Sequence, residues 1–539
     1  MNLIASFIST VVIIDSAFIA GTAVHPVAGG VVAGLGVGAG VMASKNQNAK
    51  SKPKKLKGWE LCEGVELTNP DLPIPVQNVV LQDKALQLGV LAIGSPGGGK
   101  SESYSLGILD YYTKKGSGWS YFEGKGQVDI LQKGEAAGVK PDYLFSSVLE
   151  HSHTINLMDS IDVGSITERL VKTLIDHDTT STNFYADEQT QVLNRVIPVI
   201  CGLGYQVTLR DLFAFLTVQE AAVEVIHLAK EKDLPVDMIK LAESWVYDEQ
   251  TTGRSNIKGM VNKLFQFVTG PASARINAYN PNIRLHEIVN SGKRIYFHLP
   301  LSDMSRRIAI MVTEELAIIA SKRQSDGPDK YEEFPQVFDD WGGMVHSGFT
   351  TYTARCRSAK MPPSFTFQSP AQLEELGPEF RNQMEDNIAV KLFFRVTSER
   401  TARLCSDLIG NYETFELGRN YTEVRGTGVN VQALERPRVN KDVLYELAAG
   451  EAIIATLEIE GRNAARRIYR GRFPLLDSTG WESISPKPKA QSPARDHRPP
   501  LYLYDRYIKD EAIACEIQQE VNAESQEQRP QEQRPQEQR

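Results

Sequence analysis

Hydrophobic and polar positions change period several times along the chain. Leu3–Val24 is apolar apart from Asp15, and at about 1.5 Å per residue a helix over it spans roughly 33 Å, enough to cross a bilayer core. His25 and Pro26 interrupt it. Val27–Ala43 then carries no charge, and Gly30, Gly34 and Gly38, like Gly36 and Gly40, stand four apart. That spacing lets helices approach closely in lipid. The pattern predicts a hairpin of two membrane spans over residues 1–44. Short apolar runs follow that suit buried strands: LGVLAI at 88–93, WSYF at 119–122, and the stretch ending in Val337 and Phe338. From Thr180 to about Leu285 the period becomes helical, as in LRDLFAFL and QEAAVEVIHLAKEKDL. AIIATLEI (452–459) and RRIYRGRF (466–473) return to strand character. After Pro486 comes a proline-rich linker, then Leu501–Val521, which fits one isolated helix. Last is a QEQRP repeat from Gln526, too polar to pack a core.

Length adds three or four folding units at about 150 residues each. The 41% apolar fraction supplies large cores. None of the five cysteines forms a C-x-x-C pair, which excludes a zinc finger and a disulfide framework. A formal net charge of -8 gives no global attraction to nucleic acid, so a DNA surface has to be local, such as a lined channel. Lys45, Lys50, Lys52, Lys54, Lys55 and Lys57 follow the hairpin and favour the cytoplasmic side for the bulk of the chain. Asp15 costs roughly 2.5–3.5 kcal/mol inside lipid, which predicts that it faces another helix or subunit. A cleaved signal peptide is the rival reading; the absence of a basic residue before the apolar run speaks against it.

The strongest chemical signal is Gly94-Ser95-Pro96-Gly97-Gly98-Gly99-Lys100-Ser101, which fits G-x-x-x-x-G-K-[ST] directly after a predicted strand and before a helix over Ser103–Lys115. Gly94, Gly97, Gly98 and Gly99 let backbone N–H groups turn inward around phosphate oxygens, and the helix start adds partial positive charge. In that arrangement Lys100 reaches the β- and γ-phosphates of ATP and the Ser101 hydroxyl ligates Mg²⁺. A merely flexible glycine turn is the bland alternative.

FPQVFDD at 334–340 is the second signal. Asp339 at the carboxyl edge of a strand suits an outer-shell contact to Mg²⁺, and Asp340 stands where a residue that polarises the attacking water is placed. An acidic turn after an ordinary strand is the alternative.

From Leu88 to Pro474 the chain resembles the coupling-protein ATPases of conjugative type IV secretion, the TraG/TraD family, relatives of the FtsK and HerA motors. Phe122-Glu123-Gly124-Lys125-Gly126 resembles the family's DPKGE segment and Asn156-Leu157 its NPL. Gly259–Leu264 and Lys293–Pro300 resemble the approach to the second half of the core. Phe367-Gln368-Ser369-Pro370-Ala371-Gln372-Leu373 looks like its QSxxQL. The resemblance implies that Gln368 senses the γ-phosphate, and that Arg357 in TARCRSAK is an arginine finger acting in a neighbour's site, with Arg355 the competing choice. It departs from the family at Asp339-Asp340, where Asp-Glu is usual, and at the acidic positions of DPKGE, held here by Glu123 and Gln127.

The expected fold is α/β: a RecA-like P-loop NTPase core with an inserted all-α domain and an N-terminal two-helix membrane hairpin. The boundaries are 1–44 for the hairpin, 45–179 and 291–480 for the nucleotide-binding domain, 180–290 for the helical insertion and 481–539 for linker, helix and tail. The expected function is a multi-pass inner-membrane protein of bacteria, assembled as a homo-hexamer. It hydrolyses ATP with Mg²⁺ to move DNA, single-stranded and carrying its relaxase, to the components of a type IV secretion channel. A channel-assembly ATPase that need not touch DNA, and a non-catalytic nucleotide-binding adaptor, are the alternatives.

Overall fold

The computed structural model describes residues 57–71, 76–175, 183–247, 256–422, 426–485, 488 and 496–508. The expected hairpin over 1–44 and the tail after 508 lie outside them. Among the described residues no single helix is long and apolar enough to cross a membrane.

The strands in chain order are β1 (Gly58–Glu66), β2 (Gln77–Gln82), β3 (Val90–Ile93), β4 (Trp119–Glu123), β5 (Tyr143–Ser146), β6 (Arg294–His298), β7 (Gln336–Asp339), β8 (Pro363–Phe367), β9 (Val390–Phe394), β10 (Asn411–Thr422), β11 (Gly426–Pro437), β12 (Glu451–Glu460) and β13 (Asn463–Arg472). Eleven of them form one sheet in the order β2-β1-β13-β12-β9-β3-β8-β7-β4-β6-β5. From β9 to β5 every neighbour is parallel, whereas β12, β13, β1 and β2 extend the sheet antiparallel. β10 and β11 form a separate two-stranded ribbon.

The parallel strands are apolar on both faces, and β3, β4, β7 and β8 are buried throughout. Strand residues alternate between faces, so each strand feeds two cores. Val90, Ala92, Tyr121, Tyr296 and Val337 join one with Tyr104, Ile108 and Trp59. Leu91, Ile93, Phe122, Phe297 and Phe338 join the other with the long helix Asp303–Asp326 and the helices that follow β5. Phe122 stacks on Phe297 and Phe338 with ring centroids 4.6 Å apart in each case. That aromatic layer ties β6, β4 and β7 together just below the ends that carry chemistry.

Between β5 and β6 the chain is helical, with α1 (Val163–Leu174), α2 (Asn183–Gly202), α3 (Leu209–Thr217), α4 (Gln219–Glu231), α5 (Val236–Val246) and α6 (Lys258–Thr269) as its principal helices. α1 starts upstream of residue 180 and packs on α2 through Leu170 and Leu174. α3 begins with a capping box: Asp211 accepts the Thr208 N–H while Thr208 Oγ1 accepts from the Asp211 N–H.

Of the helix expected over Leu501–Val521 only the part up to residue 508 lies among the described residues, and that part is not isolated. Its helix runs Leu503–Tyr507, and residues 498–508 lie along the helical region. Gln206 bonds both Pro499 O and the Leu501 N–H, and Asp211 accepts the Leu503 N–H at 2.8 Å. Leu501, Leu503 and Ile508 are buried there. These three apolar side chains dock the segment on the helical region.

Candidate functional site

The glycine loop begins where β3 ends. Its first two N–H groups are held by the strands on either side: Gly94 donates to Phe367 O of β8 at 3.1 Å and Ser95 to Arg395 O after β9 at 2.8 Å. Gly97 and Gly99 adopt φ of +74° and +91°, where a Cβ is strained. Gly99 is also pressed against Gly450, whose N–H donates to Gly98 O at 2.9 Å, and a Cβ on Gly99 would collide with that nitrogen. The chain then enters a wide π-type turn over Lys100–Ser105 before the regular helix Leu106–Lys115. The helix expected from Ser103 therefore starts earlier and wider, with the Ser103 N–H on Gly99 O. Such widened turns recur at functional sites.

Lys100 is 4% exposed. Its Nζ donates to Gly94 O and, at 3.2 Å, to Ser95 O. Burial lowers its pKa to about 8; Asp339 and then Asp340 pull it back up, and Lys125 adds to the lowering. Ser101 beside it is half-buried.

Asp339 is the last residue of β7 and is 2% exposed. Three hydroxyls donate to it: Thr366 at 2.7 Å and Ser105 at 3.1 Å to Oδ1, and Tyr121 at 2.8 Å to Oδ2. These come from β8, from the turn after the glycine loop and from β4. Asp340 follows with φ +49°, a left-handed conformation that is unusual for a side chain with a Cβ. It is held by its N–H, which donates to Thr366 Oγ1 at 2.7 Å. Thr366 thus joins the two acids, accepting from one backbone and donating to the other carboxylate.

Gln368, two residues past Thr366, donates through Nε2 to both Asp340 oxygens at 3.1 and 3.2 Å. Its own N–H is fixed by Gln372 Oε1 at 2.9 Å. The structure thus brings Gly94, Gly97, Gly98, Gly99, Lys100, Ser101, Asp339, Asp340 and Gln368 to the carboxyl ends of β3, β7 and β8. It does not bring Arg357 there. Arg357 is exposed at the end of the helix Phe349–Ser358, where the chain turns through Lys360 and Met361 into the start of β8, at the opposite edge of the sheet. Arg355 is exposed on the same helix.

Sequence reasoning passed over Ser105, Tyr121, Thr366 and Arg395. Tyr121 and Thr366 gave a faint signal, as polar groups within otherwise apolar strands, and Ser105 gave none. Arg395 gave none: it follows β9 and places Nη2 3.3 Å from Gly97 O at the rim of the loop. Glu123, matched only to a motif position, closes β4 in register with Asp339 and with His298. Burial pushes its carboxyl up to about 7, against the pull of the Lys125 and Gly126 N–H groups that it accepts at 2.8 and 2.7 Å.

Among the described residues no group of three or more His, Cys, Asp or Glu side chains is arranged to hold a metal. A hydroxyl, a carboxylate engaged by hydroxyl donors and an inward glycine loop suit Mg²⁺, which keeps waters and takes substrate phosphates as its remaining ligands.

Solved structures show the same arrangement of elements. The unbound monoclinic form of the bacterial conjugative coupling protein TrwBdeltaN70 aligns with a TM-score of 0.53 at 11% identity, over 82% of this chain and 97% of that one. TrwB in complex with the GTP analogue GDPNP aligns at 0.53 and 10% identity, over 84% and 100%. TrwB in complex with ADP and Mg²⁺ aligns at 0.50 and 12%, over 77% and 94%. This is the fold of a conjugative coupling protein. Residues 343–447 also match the family model described as the TraM recognition site of TraD and TraG. That stretch holds Gln368, Arg395 and the β10–β11 ribbon of the coupling-protein fold. No curated protein matches the sequence at a significant level. The fold likeness covers 82% of this chain in the first of these structures, and the stretch matched by the family model lies within the region where the short motifs fall.

Proposed function

We propose that the chain is a P-loop ATPase of the conjugative coupling type, anchored in the inner membrane, which hydrolyses ATP to deliver DNA with its relaxase to a type IV secretion channel. The observation that carries the nucleotide chemistry is the burial of Lys100 with its ammonium in the field of Asp339 and Asp340, at the carboxyl edge of the parallel part of the sheet. A buried ammonium that burial drives down to about 8 is stabilised by a polyanion brought to the glycine loop.

The loop amides and Lys100 hold the β- and γ-phosphates. Ser101 and Asp339 hold Mg²⁺, which when bound offsets charge on the transferring phosphoryl group. Asp340 orients the water that attacks the γ-phosphorus as the bond to the β–γ bridging oxygen breaks, leaving ADP and phosphate. Gln368 reports γ-phosphate occupancy through its bonds to Asp340. Arg357, which lies away from its own glycine loop, is assigned the part of an arginine finger in trans, in a homo-hexamer whose neighbour completes the site.

ATPase activity of the full chain in detergent, with and without single-stranded DNA, tests the reading. Stimulation by DNA supports a DNA-delivering motor. Hydrolysis indifferent to any nucleic acid favours the channel-assembly ATPase. Binding of ATP without phosphate release under any condition favours the adaptor.

A further inference from the structure

The inference drawn here rests on the ATPase reading and concerns a residue to which no role has been given. β7 lies between β8 and β4, and the turns after all three meet at Asp340. Gln368 approaches Asp340 from the β8 side. From the β4 side Lys125 places Nζ 3.7 Å from Asp340 Oδ2.

The turn that carries Lys125 is fixed on every side. Glu123 accepts the N–H groups of Lys125 and Gly126. The Gly124 N–H donates to Asp339 O at 3.3 Å. A Cβ on Gly124 would stand 2.9 Å from Asp340 O, so only glycine lets the turn lie this close to the two acids. Gly126 has φ +83° and sits where a Cβ would be 2.8 Å from the Pro300 ring, and the Leu299 N–H donates to Glu123 O at 2.9 Å. The turn is therefore locked to the exits of both β7 and β6. Lys125 keeps 31% of its side chain exposed. Its charge also bears on Lys100, as do those of Asp339 and Asp340.

We propose that Lys125 is a positioning residue for hydrolysis: it holds the Asp340 carboxylate from the β4 side while Gln368 holds it from the β8 side, which fixes the direction in which Asp340 presents an oxygen to water. A single neutral amide shared between both oxygens restrains the carboxylate from one side only. A cation on the other side supplies the second restraint. The need is greater here than with the glutamate usual at this position, because aspartate has a shorter reach and its orientation must come from its neighbours.

The test uses the full chain in detergent and compares wild type with K125M and K125R. Three quantities are read: turnover at saturating ATP, the Kd for a fluorescent ATP analogue, and the thermal midpoint. We expect K125M to lose about tenfold or more in kcat with Kd within about threefold, and K125R to recover to within about threefold of wild type. K125Q replaces K125M if the latter does not fold. Wild-type turnover in K125M overturns the proposal. A Kd that rises in step with the lost turnover also overturns it, because it assigns Lys125 to phosphate binding. So does K125R as poor as K125M, because it assigns the effect to shape rather than charge. A wild-type protein that hydrolyses ATP while K125M matches it sinks this inference alone, whereas a wild type that never hydrolyses ATP sinks the parent reading as well.

Discussion

The Gln368 amide donates to both carboxylate oxygens of Asp340, at 3.1 and 3.2 Å, across the seam between β8 and β7. A symmetric two-oxygen contact of this kind reports on what else the carboxylate binds. Gln368→Ala is expected to lower turnover by about tenfold to a hundredfold while nucleotide affinity changes little, since loss of a water-orienting contact acts on the transition state. Steady-state hydrolysis beside nucleotide titration checks it. A large rise in Kd with unchanged turnover would place Gln368 in ground-state binding instead.

Thr366 has a different part, as the hydroxyl shared by Asp339 and the Asp340 backbone. Thr366→Val keeps the shape, removes the hydroxyl and leaves a buried carboxylate oxygen and a backbone N–H short of a partner. The expected cost is about 1–3 kcal/mol of stability, together with a rise in the Mg²⁺ concentration needed for half-maximal hydrolysis, because Asp339 is less well held. Urea unfolding and a Mg²⁺ titration read the two effects. A variant as stable as wild type contradicts the assigned hydrogen bonds.

The strand, glycine loop and helix around Lys100 are legible in the sequence because their signal is local: each glycine sits within six residues of Lys100. The strand that ends in Asp339 is legible for the same reason, as an apolar run closed by acids. The hydroxyl cluster is not. Ser105 is 234 residues from Asp339 and Tyr121 is 218 away, and only the sheet order brings them together. The widened turn after Lys100, which places Ser105 on Asp339, has no compositional signature. The docking of 498–508 is not legible either, because the helix from Leu503 packs on α3 and Leu501 is buried although their neighbours are prolines, tyrosines and charges. Arg395 depends on β9 lying beside β3, a pairing that pattern alone does not specify.

Glu123 makes a pH-dependent prediction. In the unfolded chain its carboxyl titrates near the ordinary glutamate value of 4.5, and burial raises it to about 7 in the folded protein. The folded state therefore prefers the protonated form. The stabilising contribution is complete below the lower value and is lost as pH rises through the upper one. Glu123→Gln removes the titration, so its stability relative to wild type should rise between pH 5 and pH 8, by on the order of 2 kcal/mol given about 1.4 kcal/mol per unit. Denaturant unfolding of both proteins at the two pH values measures this. Parallel stability profiles would show that Glu123 carries no raised carboxyl.

Lys100 is the residue on which the nucleotide chemistry turns, because it both reaches the glycine loop and lies in the field of the two acids. The most direct measurement is phosphate release by the full chain and by Lys100→Ala, with thermal unfolding recorded on both. The account predicts hydrolysis by wild type, a loss of about a hundredfold or more in the variant, and a fold that survives the substitution. Near-normal phosphate release from a folded Lys100→Ala protein would contradict it.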